Sequence, residues 1–158
     1  MDLKLIIRAS IAVTACLLVG FFSSIAIESS VNNWFLALNR PIFDPPTWIF
    51  APAWIFLYVV MGIAAGIVWN KGFYHKWVKT ALYHFGFQLI LTVSWSVVFF
   101  GLKALLPALL IAFTLFIVLL FTYKWFRIVD PRAGYFLIPY IIWTVYTVVF
   151  NFEIWRLN

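Results

Sequence analysis

The 158-residue chain is 66% hydrophobic and only 10% charged, with a mean hydropathy of +1.05, a composition that no water-soluble domain of this size can bury. Its formal charge of +6 comes from basic residues scattered between apolar runs rather than gathered in one stripe, which argues against a nucleic-acid partner. The solvent is therefore a lipid bilayer. At about 20 apolar residues per crossing, the chain has room for five or six spans and no separate soluble domain.

Five apolar runs reach that length: Leu5–Ile27, Trp48–Trp69, Trp77–Phe100, Ala104–Phe126 and Ala133–Phe152. They predict an all-α integral membrane protein, a five-transmembrane-helix bundle forming a single domain over residues 1–158. Lys4, Arg8 and the small-residue stretch Ser24-Ile25-Ala26 give the first run some likeness to a signal peptide. Its apolar stretch is longer than a signal core of about 7–15 residues, so a retained helix is expected. Lys4, Arg8, Lys71, Lys76, Lys79, Lys124, Arg127 and Arg132 fall on one side of the predicted bundle, against Arg40, Lys103 and Arg156 on the other. The positive-inside rule then puts the N-terminus in the cytoplasm and the long first loop, Glu28 to Thr47, outside. The turn Gly101-Leu102-Lys103 is so short that the third and fourth helices must be antiparallel neighbours. Gly62-xxx-Gly66 in the second helix, and Ala104, Ala108 and Ala112 in the fourth, permit close helix approach within the bundle or between protomers of a homodimer. Pro107 and Pro139 are expected to remove backbone hydrogen bonds inside their helices. Five unequal spans do not divide into the inverted repeats of a typical secondary transporter.

The polar residues exclude several chemistries. Asp2, Glu28, Asp44, Asp130 and Glu153 lie at span ends or in loops, leaving no intramembrane acid for a proton relay. Cys16 has no Cys or His neighbour, and His75 and His84 are nine residues apart, which is not the spacing of a helical zinc pair. No nucleophile–base pair, phosphate-binding glycine loop or metalloprotease motif is present, so hydrolysis and phosphoryl transfer find no support and no obligatory cofactor is expected.

What composition leaves over is an aromatic content of 22%. Trp34, Trp48, Trp69, Trp77, Trp125 and Trp155 fall at or near span ends, where the indole favours the headgroup region. Trp54, Trp95 and Trp143 lie at least five residues inside their spans, where an indole N–H needs a partner. Following chain direction, Trp54 and Trp95 occupy the half of the bundle beneath the first loop, and Trp143 lies near the middle. Gln88, Thr92, Trp95 and Phe99 share one face of the third helix, and Tyr140, Trp143, Thr147 and Asn151 one face of the fifth, while Trp54 and Tyr58 sit one turn apart on the second. Two readings stay open: an aromatic core cross-linked by hydrogen bonds, or an aromatic cavity with a few polar groups, suited to a flat hydrophobic ligand. Asn39-Arg40-Pro41 and Asp44-Pro45-Pro46-Thr47-Trp48 read as a stiff cover leading into the second helix.

At these residues the sequence resembles the tryptophan-rich sensory protein/translocator protein (TspO/MBR) family. The resemblance is carried by Trp34-Phe35-x-x-Leu38-Asn39-Arg40-Pro41, Pro45-Pro46-x-Trp48 and Pro52-x-Trp54-x-x-x-Tyr58-x-x-Met61-Gly62. It continues through Gln88-Leu89, Trp95, Phe99-Phe100-Gly101, Pro139-Tyr140-x-x-Trp143, Asn151 and Trp155-Arg156, and so covers nearly the whole chain. It implies a five-helix bundle, often dimeric, with a pocket closed by the first loop that takes porphyrins, haem-like tetrapyrroles or other hydrophobic small molecules. Carried over residue by residue, the ligand-binding set is Trp34, Phe35, Pro45, Pro46, Trp54, Tyr58, Gln88, Trp95, Phe99, Trp143, Thr147 and Asn151. In that reading Gln88 and Asn151 hydrogen-bond the ligand's polar edge, and Arg40 either faces a propionate or remains solvated. The resemblance also implies a multi-pass location, in the cell membrane of a prokaryote or the mitochondrial outer membrane of a eukaryote. Family members commonly have Asn-Trp-x-Trp-x-Pro where this chain reads Thr92-Val93-Ser94-Trp95-Ser96-Val97, and animal members have a Tyr at Phe152. The lost amide, indole and hydroxyl weaken the expectation of drug-like and sterol ligands. A porphyrin-modifying, photo-oxidative membrane enzyme and a non-binding membrane scaffold are the alternatives to a receptor or carrier.

Overall fold

The computed structural model describes residues 3–31 and 33–158, apart from the side chains of residues 26 and 29. The expectations for Asp2 and for the side chain of Ala26 therefore lie outside the described residues. Within lipid every backbone polar group must be satisfied along its own segment, and the chain answers with helices: α1 (Leu3–Val31), α2 (Phe50–Asn70), α3 (Lys76–Ser96), α4 (Leu105–Val129) and α5 (Pro131–Leu157). All five are long and apolar enough to cross a membrane. Large apolar side chains such as Ile7, Ile11, Leu18, Phe113, Ile117 and Ile142 point outward, as a lipid-facing surface requires. The first loop between α1 and α2 carries short 3-10 turns at Phe35–Ala37 and Thr47–Ile49.

The helices run furthest past the apolar runs at the ends of α1 and α5, where polar pairs continue to hold them. At the end of α1, Ser30 Oγ donates to the Phe100 carbonyl at 2.6 Å. At the end of α5, Arg156 pairs with Glu153 one turn earlier. Phe100 lies in a π-helical turn, Val97–Gly101, that closes α3 and leaves carbonyls free for such a partner. The following Lys103 takes a left-handed conformation (φ 56°) that reverses the chain, and α4 then packs antiparallel along α3. Pro107 removes no intrahelical hydrogen bond, contrary to the expectation from its position in the fourth apolar run. It occupies the first turn of α4, where an amide has no intrahelical acceptor, and the amide of Ala108 makes a bond to the Ala104 carbonyl. Pro139 does lie inside α5.

The small residues are used inside the bundle. A Cβ on Gly62 would meet the Val13 backbone and one on Gly66 the Ala9 backbone, so these glycines let α1 and α2 touch main chain to main chain. Ala108 and Ala112 are fully buried where α4 packs on Phe99, Phe100 and Phe150. At the end of the bundle away from the first loop, Arg8 donates to the last carbonyls of α2, Trp69 O and Asn70 O, both at 3.3 Å, placing a cation at the negative end of that helix. Asp130 caps α5 by accepting from the Arg132 amide (3.0 Å) and joins the α2–α3 loop through Lys71 (3.0 Å).

Two stability predictions follow from these contacts. Gly62→Ala, whose new methyl meets backbone rather than a flexible side chain, lowers stability by about 1–3 kcal/mol. Gly86→Ala, whose methyl meets nothing within 4 Å, raises it by up to about 1 kcal/mol through helix propensity. Thermal unfolding in detergent measures both. Hydrogen bonds from Arg132, and more weakly from Lys71, outweigh burial and hold the Asp130 carboxyl at about 2. A depressed carboxylate stabilises the fold above its unfolded value near 4, and that contribution disappears as pH falls from about 4 through about 2. Asp130→Asn removes this pH dependence while keeping a capping side chain; Asp130→Ala removes the cap as well, at a further cost of about 0.5–2 kcal/mol.

Candidate functional site

The lid-side halves of α1, α2, α3 and α5 enclose a cavity of about 630 Å³, within the range of small-molecule sites. Trp54 is its hub. Its ring lies 5.7 Å from Tyr58, 6.1 Å from Trp95, 6.2 Å from Tyr140 and 6.1 Å from Trp143, measured between centroids. The three deep indoles thus meet around one residue, as counting depth along the helices predicts. Trp95 stacks on Phe99 at 5.7 Å, extending the aromatic wall into the π-turn.

From the first loop, Phe35 is 3% exposed and packs against Phe99, Phe100 and Phe150, closing the cavity from above. Its closure is fastened at the bundle's edge. The Asn39 amide donates to Asn158 Oδ1 and Asn158 Nδ2 to the Asn39 carbonyl, each at 3.0 Å. Phe43 lies edge-on to Tyr146. Arg40 is engaged within the loop, paired with Asp44 and lying over the Phe35 ring. Burial, opposed by Arg40, raises the Asp44 carboxyl above the usual carboxylate range.

Of the residues singled out by sequence, Phe35, Trp54, Tyr58, Trp95, Phe99, Trp143 and Thr147 line this cavity. Trp34 stands behind the wall, edge-on to Phe99 at 5.6 Å. Pro45 and Pro46 shape the loop ahead of the Thr47–Ile49 turn and do not reach the wall. Gln88 sits seven residues, or about 10 Å of helix, below Trp95. There it is fully buried, with Nε2 on the Met61 sulfur (3.4 Å) and Oε1 without a hydrogen-bond partner among the described residues. Below the floor as well, Thr92 shares a 2.7 Å hydrogen bond with the Tyr140 hydroxyl.

Asn151 has a different place from the one its sequence stripe suggests. Its side-chain oxygen accepts the Trp95 indole N–H at 3.1 Å, and its amide donates to the Thr147 carbonyl at 2.7 Å. Both ends of the amide are committed, so Asn151 orients Trp95 from behind the wall and spares that indole an unpaired N–H in lipid. The unpaired donors belong to Trp143 and to Tyr146, whose rings are 5.4 Å apart on the cavity wall; neither the indole N–H nor the phenol has a hydrogen-bond partner among the described residues.

Sequence reasoning missed Tyr146 and the whole contribution of α1. Tyr146 follows Trp143 at the i+3 position, a signal that was available. On α1, Gly20, Ser23 and Ile27 face the cavity, and a Cβ at Gly20 would collide with the Tyr58 ring. The arrangement is that of a mostly apolar, aromatic-walled binding site. Among the described residues, no group of three His, Cys, Asp or Glu is placed to hold a metal ion.

Comparison with known proteins agrees with this architecture. The TspO/MBR family profile matches residues 12–156. The chain is 34% identical over 156 residues to the tryptophan-rich protein TspO of Archaeoglobus fulgidus, covering 97% of this chain and 98% of that protein. It is 32% identical over 144 residues to the human translocator protein, covering 87% and 82%. To protein CrtK of Rhodobacter capsulatus it is 32% identical over 129 residues, covering 82% and 81%. With five spanning helices, the first-loop cover and a match along almost its whole length, this chain belongs to the TspO/MBR family of multi-pass membrane proteins.

Proposed function

We propose that this protein is a membrane receptor or carrier that binds porphyrins or chemically similar flat, lipophilic ligands in the cavity beneath its first loop. The reading includes an orientation in which the basic loops face the cytoplasm and the first loop lies on the opposite side. The observation that carries it is the pairing of an aromatic-walled cavity of about 630 Å³ with two unpaired donors, Trp143 Nε1 and the Tyr146 hydroxyl.

Each part of that pairing suits one part of such a ligand. Trp54, Trp95 and Phe99 offer rings to a planar macrocycle, and an aromatic pair contributes about 0.5–1.5 kcal/mol beyond its burial of area. An unsatisfied buried donor costs about 1–3 kcal/mol. A ligand with a carbonyl or carboxylate at its rim recovers that cost by accepting from Trp143 and Tyr146. Asn151 serves the ligand through Trp95, holding its ring in place.

Titration of purified protein with protoporphyrin IX is expected to quench tryptophan fluorescence saturably. Trp54→Phe and Trp143→Phe weaken binding about 5- to 10-fold, the size of one lost ring contact or hydrogen bond. Asn151→Leu weakens it by freeing Trp95, whereas Trp155→Phe at the bundle's outer surface has no effect. Unsaturable quenching, or equal affinities across the pocket variants, contradicts the proposal.

A further inference from the structure

The cavity is closed above and inside but not at its side. Leu17, Phe21, Ser24 and Glu28 recur on α1 at i, i+4, i+7 and i+11, and Thr47 in the turn before α2 is followed at every fourth residue by Ala51 and Ile55 on α2. All seven line the cavity and are also exposed on the outer surface of the bundle, Phe21 at 62% and Ile55 at 57%. Every other lining residue is buried or half-buried. The exposed rim of the cavity is therefore one seam, between α1 and α2.

Lower down, the same seam is shut. Gly62 meets Val13 and Gly66 meets Ala9, so below Leu17 the two helices touch main chain to main chain. From Leu17 to Glu28 the rim rises by eleven helical steps, or about 16 Å, close to half of a hydrocarbon core of about 30 Å. Its chemistry is graded along that height. Leu17, Phe21, Ala51 and Ile55 are apolar at acyl-chain depth, while Ser24, Glu28 and Thr47 are polar toward the first-loop end. A flat amphiphile resting in a leaflet, its body among the chains and its acidic edge at the headgroups, meets a slot of matching polarity. The route through the first loop, by contrast, requires displacing buried Phe35, the Asn39–Asn158 pair and the Phe43–Tyr146 contact.

We propose that the α1–α2 seam is a lateral portal through which the ligand passes between the cavity and the adjoining leaflet, without crossing the first loop. The proposal rests on the ligand-binding role proposed above. Its occupant in transit is the membrane-dissolved porphyrin-class molecule, with Phe21 and Ile55 as the apolar lips of the slot.

The test is stopped-flow tryptophan quenching in phosphatidylcholine proteoliposomes, with protoporphyrin IX for association and an excess of protein-free vesicles as a sink for dissociation. Ala51→Phe and Ser24→Phe fill the slot from opposite lips at lipid-exposed positions. Each is expected to slow association at least 10-fold and to slow dissociation in proportion. Asn158→Ala, which removes both side-chain hydrogen bonds that fasten Asn158 at the end of α5 to the Asn39 backbone of the first loop, leaves both rates as in the wild type. Wild-type rates in both slot-filling variants, or acceleration by Asn158→Ala alone, overturn the portal. Faster dissociation in the slot-filling variants also overturns it, because it marks those residues as binding wall. Wild-type protein that binds saturably while the slot variants keep its rates refutes only the portal, whereas wild-type protein without saturable quenching refutes the binding role and the portal together.

Discussion

The 3.1 Å hydrogen bond from the Trp95 indole to Asn151 joins α3 to α5 at a depth where water cannot substitute for either partner. A polar group left unpaired there costs several kcal/mol, so the bond fixes which face of each helix turns inward. Once Trp95 is held, Phe99 stacks on it, the π-turn presents Phe100, and the first loop seats Phe35 among Phe99, Phe100 and Phe150. Trp54 approaches from α2 and Trp143 from α5 to complete the ring of indoles. The cavity is the space these large, flat side chains leave when their neighbours are held apart by polar pairs rather than packed to a minimum.

The two ends of the bundle have different tasks. At the basic end, charges are structural: Arg8 on the last carbonyls of α2 and the Lys71–Asp130–Arg132 cluster bind three helices into one base. Glycines zip α1 to α2 above it. At the loop end, contacts are mostly aromatic and α1 leans on the rest through Ser30 and the Phe100 carbonyl. Charge pairs and glycine contacts join the helices at the base, and the cavity lies beside α1 in the aromatic upper half.

Much of this was legible in the sequence because hydropathy run length reports directly on the bilayer: all five spans were readable, and the depth of Trp54, Trp95 and Trp143 followed from counting residues inward. Helix ends were less legible. α1 and α5 run on through Ser30 and Glu153–Arg156, where polar pairing and not hydropathy decides. Asn151 shared a stripe with Trp143, but a stripe gives facing without pairing, and only the structure assigns its amide to Trp95 and Thr147. Gln88 was on the correct face at the wrong depth. The α1 wall was invisible because residue type does not separate its faces: Gly20 and Ile27 turn to the cavity while Leu18 and Ile25 turn to lipid. Pro107 was expected to remove a hydrogen bond, but a helix that starts one residue later, at Leu105, places it where no intrahelical acceptor exists.

The central claim, that an acceptor-bearing flat ligand sits against Trp143 beneath the first loop, is tested most directly by indole 15N–1H NMR of tryptophan-labelled protein during protoporphyrin IX addition. A saturable shift is expected of the Trp143 indole N–H, which has no partner among the described residues, while the N–H of Trp95 stays bonded to Asn151 and those of Trp69 and Trp155 do not move. A Trp143 resonance that ignores the ligand while surface indoles respond would contradict the claim.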